Sequence, residues 1–435
     1  MKAFRARILD FIDDPSTSDQ AWRLFEDGLL VVEQGKVKAC GDYTELQAGL
    51  GAEVEVVDYR GYLMMPGFID SHVHYPQTDI IASHGTQLLD WLQRYTFPTE
   101  NKFSNAAIAQ DTADFFIRQL LRNGTTTAMV FATIHPQSVD AIFQAANQQQ
   151  MCLISGKVMM DRNAPDFLLD TAQSSYDDSH ALIEKWHHKD RLHYAVTPRF
   201  APTSTEDQLR VAQQLVNEVP DVYLQSHVAE NQGEVEWVEK LFPWSRSYLD
   251  VYDHFGLLGD RSVYAHCIYL DDADRSCMAQ SGTAVSFCPT SNLFLGSGLF
   301  DMQSALDHAL AVTIGSDVGG GTSFSLLHTL NEAYKVCQMS GYHMSPMQAF
   351  YLLTLGAARA LFLDQKLGNF NQGKEADFIV IDLNATELMQ RRMKHAEDLQ
   401  DELFALMIMG DDRNILATHI LGACCYHRDK DKPGQ

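Results

Sequence analysis

Positive charge, paired cysteines and long apolar runs are all scarce in this chain. Its 33 lysines and arginines are outnumbered by 57 aspartates and glutamates, giving a formal net charge of −24 over 435 residues. So acidic a surface repels phosphate backbones and anionic headgroups, which argues against nucleic acid or a membrane as partner. A polyphosphate substrate is disfavoured for the same reason, and a neutral or weakly charged small molecule fits better. No run of ~18 apolar residues exists to span a bilayer. The opening Met1-Lys2-Ala3-Phe4-Arg5 meets Asp10, Asp13 and Asp14 before any apolar core long enough for a signal peptide. The eight cysteines form no Cys-X-X-Cys pair and mostly sit inside apolar runs. They read as reduced, buried thiols of a cytoplasmic protein rather than as disulfides.

Several signatures are also incomplete. Gly319-Gly320-Gly321 is not followed by Gly-Lys-Ser/Thr, so it is no phosphate loop; its expected part is to give the loop after Asp317 freedom. Ser286 and Ser291 lack a Gly-X-Ser-X-Gly setting, which disfavours a serine hydrolase. His395-Ala396-Glu397 has no Pro-Cys-X-X-Cys after it and is expected on a surface helix.

What is present is a regular alternation. Strand-like runs at 68–74, 125–131, 151–158, 192–197, 222–227, 262–266, 283–287 and 311–317 are separated by helical stretches such as Ala107 to Arg122 and Ser138 to Gln148. Eight near-continuous apolar strands alternating with helices predict a parallel sheet closed into a (β/α)8 TIM-type barrel, with an open doubly wound sheet as the alternative. The two ends of the chain are different. Gly28 to Glu33, a tight turn at Gln34-Gly35, Lys36 to Gly41 and Val54 to Asp58 are β-rich, as are Asp377 to Asp382 and Thr418 to Ala423. Residues 1–66 and 369–435 are therefore expected to build one small β-sandwich domain together, with the barrel at 67–368 inserted between them.

Polar residues recur where the barrel strands end, the face on which such barrels place their sites. His72 and His74 close the first strand in Asp70-Ser71-His72-Val73-His74, and two residues apart they point to one side. His227, His266 and Asp317 follow at later strand ends. Three or four histidines with one aspartate suit zinc or ferrous iron; calcium and magnesium would want more carboxylates. Glu230, three residues past His227, is placed either as a proton shuttle or as a solvated glutamate opening the next helix. Arg199-Phe200, at the end of the run from Leu192, pairs a fixed cation with a ring, as a planar polar ligand would require. Gln77 and Trp91 could serve the same end.

Together these strings resemble the amidohydrolase superfamily, and within it the guanine deaminase family. Pro66-Gly67-Phe68-Ile69-Asp70-Ser71-His72-Val73-His74-Tyr75-Pro76-Gln77, Leu89-Asp90-Trp91-Leu92, Tyr95-Thr96-Phe97-Pro98, Thr197-Pro198-Arg199-Phe200-Ala201-Pro202, Ser226-His227-Val228-Ala229-Glu230-Asn231, Phe287-Cys288-Pro289-Thr290-Ser291-Asn292 and Gly315-Ser316-Asp317 occur in order. The resemblance implies one zinc per subunit on His72, His74, His227 and Asp317, and His266 positioning the reacting water. It also implies proton transfer by Glu230 and Asp317, and a purine base bound by Gln77 and Arg199, with Phe200, Trp91 and His227 beside it. The implied reaction is hydrolysis of guanine to xanthine and ammonia in purine catabolism, by a cytoplasmic homodimer. A pterin, triazine or nucleoside substrate is the alternative within the superfamily. Lys157 is the one candidate for a carboxylated lysine bridging two metals, and the resemblance makes it structural instead. A metal-free scaffold of the same fold is the non-enzyme alternative.

Overall fold

The computed structural model describes residues 1–430 apart from 19, 52 and 86. Eight parallel strands form the central body: β1 (Phe68–His74), β2 (Thr125–Phe131), β3 (Cys152–Gly156), β4 (Leu192–Pro198), β5 (Tyr223–Val228), β6 (Ser262–His266), β7 (Ala284–Phe287) and β8 (Ala311–Ile314). Each pairs with the next in order. Closure between β8 and β1 runs through the loop after β8: the Asp317 amide donates to the His72 carbonyl at 2.9 Å, and the His74 amide to the Val318 carbonyl at 2.8 Å. The structure is thus a (β/α)8 barrel, and its closing seam carries three of the expected site residues.

The strands read as near-continuous apolar runs because both faces are covered. At the amino ends Ile69, Met129, Ile154, Tyr223, Val263 and Ala284 pack against the helix Leu355–Ala360, which plugs the barrel floor. The Tyr223 hydroxyl donates to the Leu361 carbonyl at 2.6 Å, so that this buried polar atom is satisfied. With the floor plugged, access is from the carboxyl ends of the strands. The helix Ala106–Arg122 is one of the outer ring; Asn105 caps its first turn, and Gly124, at φ +81°, ends it ahead of β2.

The terminal segments make a separate seven-stranded sheet, in the order Ala423–His427, Ile415–Ile420, Phe378–Ile381, Glu55–Pro66, Lys2–Phe11, Trp22–Glu33 and Lys36–Asp42. Gln34 and Gly35 both take positive φ (52° and 78°), the backbone of a tight two-residue hairpin, as their sequence predicts. One expected strand is corrected. Thr418 to Ala423 spans a hairpin turn at Leu421-Gly422, again with positive φ at both residues, and the chain then folds back as a further strand. The His395 segment is corrected as well: it lies in the turn between the helices Glu387–Met393 and Leu399–Met409, not on a helix.

Candidate active site

Strand geometry assembles the centre. His72 and His74 share one face of β1, and their Nε2 atoms lie 3.2 Å apart. β5 brings His227, whose Nε2 is 3.1 Å from that of His74. The loop after β8 adds Asp317, with Oδ1 3.3 Å from His72 Nε2 and 3.5 Å from His74 Nε2. His266 ends β6, its Nε2 3.9 Å from Asp317 Oδ2 and 3.4 Å from Glu230 Oε2. Ala229, His266 and Asp317 all adopt left-handed backbone, at φ 51°, 73° and 50°. Such conformations cost on the order of 1 kcal/mol or more each in non-glycine residues and are held by the surrounding structure. Each turns the chain sharply at a strand end.

The donor set fits a transition metal. His227 donates from Nδ1 to the Arg199 carbonyl at 2.7 Å, which leaves its Nε2 lone pair facing inward. Burial pushes the His72, His74 and His227 imidazoles below their usual pKa, so they face one another as neutral bases. His227, with its proton on Nδ1, can only accept at Nε2, and His74 Nδ1 finds no hydrogen-bond partner among the described residues. Donors at ~2.1 Å from a common tetrahedral centre stand ~3.4 Å from one another, which is the spacing seen. Cys288 also lies close to His72 and Asp317, and burial holds its thiol well above the ordinary range.

Beside the donors sits a row of proton-handling groups. Burial pushes the Glu230 carboxyl up to about 7, against the pull of His266. For His266 burial acts downward, but the Glu230 and Asp317 carboxylates outweigh it and the net shift is upward. Asp317 resists its burial because His72 hydrogen-bonds to it, with His266 close by, and falls to about 2. The result is a carboxyl able to carry a proton at neutral pH next to one held ionised, an arrangement that separates acid from base. Glu230 is oriented by Ser297, whose hydroxyl donates to Oε1 at 3.0 Å, and its own amide donates to Glu234 at 3.0 Å. It is buried rather than a solvated helix opener; the helix Gln232–Leu241 starts later, capped by Asn231.

The opposite wall is polar in a different way. Arg199 and Gln77, both buried, converge on Glu100: Arg199 Nη1 reaches its two oxygens at 2.7 and 3.0 Å, and Gln77 Nε2 reaches Oε1 at 3.4 Å. Gln77 Oε1 accepts from the Gly319 amide at 3.2 Å. The guanidinium makes no other hydrogen bond among the described residues, leaving Nε and Nη2 for a ligand. His74, Gln77, Trp91, Arg199, Phe200, His227, Glu230, His266 and Asp317 line one cleft of about 420 Å³, with Leu88, Leu92 and Leu295 as apolar walls.

Residues 63–424 match the amidohydrolase family. Guanine deaminase of Escherichia coli (strain K12) is 49% identical over 432 residues, covering 99% of this chain and 98% of that protein. The chain belongs to the amidohydrolase family, among the guanine deaminases. In three dimensions it is similar to the E. coli guanine deaminase structure at a TM-score of 0.96 and 49% identity, covering 98% of this chain and all of the other. A guanine deaminase from C. acetobutylicum, solved with guanine bound in its active site, is similar at a TM-score of 0.88 and 29% identity, covering 98% and 100% of the two chains.

Every site residue expected from sequence lies in or against this cleft. Lys157 does not: its ammonium is paired with Asp170 and lies 4.0 Å from Asp178, a buried structural lysine. Gly319-Gly320-Gly321 calls for a different reason from the one expected. A Cβ at Gly319 would lie 2.6 Å from the Gln77 carbonyl oxygen, and one at Gly321 only 1.8 Å from that of Ser316. The glycines are there because the loop is packed, not because it is free. Glu100, Ser297 and Glu234 are the functional neighbours that sequence reasoning missed. Only the need of a buried Arg199 for a partner could have pointed to Glu100.

Proposed function

We propose that this chain hydrolyses guanine to xanthine and ammonia, as a cytoplasmic homodimer holding one zinc per subunit on His72, His74, His227 and Asp317. The carrying observation is the pairing of two unlike walls in one cleft: an acid–base row at Glu230, His266 and Asp317, and a guanidinium–amide pair at Arg199 and Gln77. Family membership at 49% identity supports the same reading. A zinc ion on these donors supplies Lewis acidity and a water acidified enough to react near neutral pH.

The protein's own groups do the rest. Asp317 accepts the proton of the attacking water, and His266, fixed through Nδ1 to Asn292 at 2.9 Å, orients that water. Glu230 delivers a proton to ring N3, so that attack at C2 leaves no charge on the purine. The proton held by Asp317 then passes to the amino nitrogen, the C2–N bond breaks as ammonia departs, and Glu230 recovers a proton from the C2 hydroxyl, leaving xanthine. Arg199 reads O6, Gln77 a neighbouring donor–acceptor edge, and Phe200 and Trp91 confine the ring. The barrel at 67–368 carries this site, and 1–66 with 369–435 form the accessory β-domain.

A spectrophotometric comparison of guanine, guanosine, adenine, cytosine and pterins on zinc-loaded protein tests the proposal. Turnover confined to guanine is expected. No turnover of guanine alongside turnover of another heterocycle would overturn it.

A further inference from the structure

The far end of the barrel holds a second convergence of imidazoles. The helix Ala172–Trp186 ends directly in His187-His188. In regular structure consecutive side chains diverge, but here His188 takes left-handed backbone at φ +62°, and the two rings lie side by side, 3.9 Å between centroids. His193, the second residue of β4, comes up beside them, its ring 5.5 Å from that of His188. One ring nitrogen from each of the three lies within 4.8 Å of the other two. Asp221, in the turn before β5, completes the group: Oδ2 contacts His188 Nε2, and Oδ1 is 3.4 Å from His187 Nε2.

We propose that His188, His193 and Asp221 form a second site for a divalent transition metal of the zinc, nickel or copper class, with His187 orienting the carboxylate. Two observations argue for a ligand here. His193 is only 6% exposed, yet its Nδ1 has no hydrogen-bond partner among the described residues. His187 accepts the Tyr194 amide at Nδ1, 3.0 Å away, so its proton sits on Nε2 and points at Asp221. A histidine donating to a ligating carboxylate is the usual outer support of a metal centre. Two imidazoles and one carboxylate favour these ions over calcium or magnesium. Burial keeps His187 and His193 neutral, His193 down to about 3, so no proton has to leave those rings. Arg261 and Lys366 stand close enough to act on His193, and their charge weakens the site without filling it.

The site is separate from the catalytic one. From His193 to Arg199 is about 20 Å of strand at ~3.3 Å per residue. It lies at the amino ends of the strands, the face of a barrel that serves stability rather than chemistry. An ion there ties the end of one helix to the starts of β4 and β5, and binding only the folded state stabilises it by mass action. The inference does not depend on the reaction assigned above.

Metal counting by mass spectrometry on the full chain, equilibrated with a slight excess of zinc, tests it. Two equivalents per chain are expected, falling to one in His188→Asn and in His193→Gln, with the guanine turnover of His188→Asn unchanged. Asparagine tolerates the left-handed backbone, and position 188 is exposed, so that variant should fold. Added zinc should raise the thermal midpoint of the wild type and not of His188→Asn. A single equivalent in the wild type, or a second equivalent kept by both variants, overturns the site.

Discussion

Glu100 holds Arg199 through both carboxylate oxygens, at 2.7 and 3.0 Å from one guanidinium nitrogen, and the pair is sealed from solvent. Gln77 leans on the same carboxylate. One buried carboxylate therefore sets the position of both of these cleft-lining groups. Its charge balances a guanidinium that would otherwise be buried alone, and that is where the cost of losing it lies.

Glu100→Gln should raise KM for guanine by about tenfold or more while lowering kcat less, because the readers of the base shift and the proton-handling row does not. Glu100→Ala should also lose about 3–5 kcal/mol of stability, the range for breaking a buried pair by removing one partner. Steady-state kinetics and denaturant unfolding of the two variants check this. An unchanged KM in Glu100→Gln would show that the carboxylate only neutralises its neighbour.

Glu230→Gln keeps the side chain's shape and its contact with Ser297 but carries no transferable proton. Turnover should fall by about 10²–10⁴, the usual contribution of a positioned acid or base, with the metal content unchanged. A variant that is fully active, or one that has lost its metal, contradicts the assigned part.

His227→Ala removes a donor whose ring is locked to the Arg199 carbonyl. Catalytic zinc and activity should be lost together, and far-ultraviolet circular dichroism should stay that of the folded protein, because the other donors sit on strands held by the barrel itself. Chelation of the wild type should give the same folded, inactive state and be reversed by zinc. A chelated protein of full activity would rule out metal dependence.

Sequence alone reached the barrel because period, length and spacing of eight apolar strands are local properties. It pointed to the histidines and the aspartate that the fold brings together because each one lies at or just past the end of such a strand. What it missed is non-local. Glu100 sits in a short helix where any glutamate could be solvated, and its partners lie 23 and 99 residues away. The glycines after Asp317 look like a flexible loop until the Gln77 and Ser316 carbonyls are seen pressing on them. Thr418 to Ala423 reads as one strand because residues with strand propensity flank Leu421-Gly422, and only pairing shows that the turn wins.

His419 offers a test far from the active site. It is buried in the terminal sheet, stacked on Phe378 at 4.3 Å between centroids, with Nε2 3.0 Å from the Tyr59 hydroxyl. Burial lowers its pKa from 6.5 to about 4, so the folded protein keeps this ring neutral. The unfolded chain takes up a proton there below about pH 6.5, and the folded chain does not until about pH 4. Stability from this group is thus complete above pH 6.5 and drains away as the pH falls toward 4, by about 3 kcal/mol in all. His419→Gln retains a hydrogen-bonding side chain but does not titrate, so its stability should fall less steeply over the same window. Urea unfolding of both proteins at pH 7.5 and pH 5 measures the difference. Equal losses in the two would mean that His419 gains its proton without cost in the folded sheet.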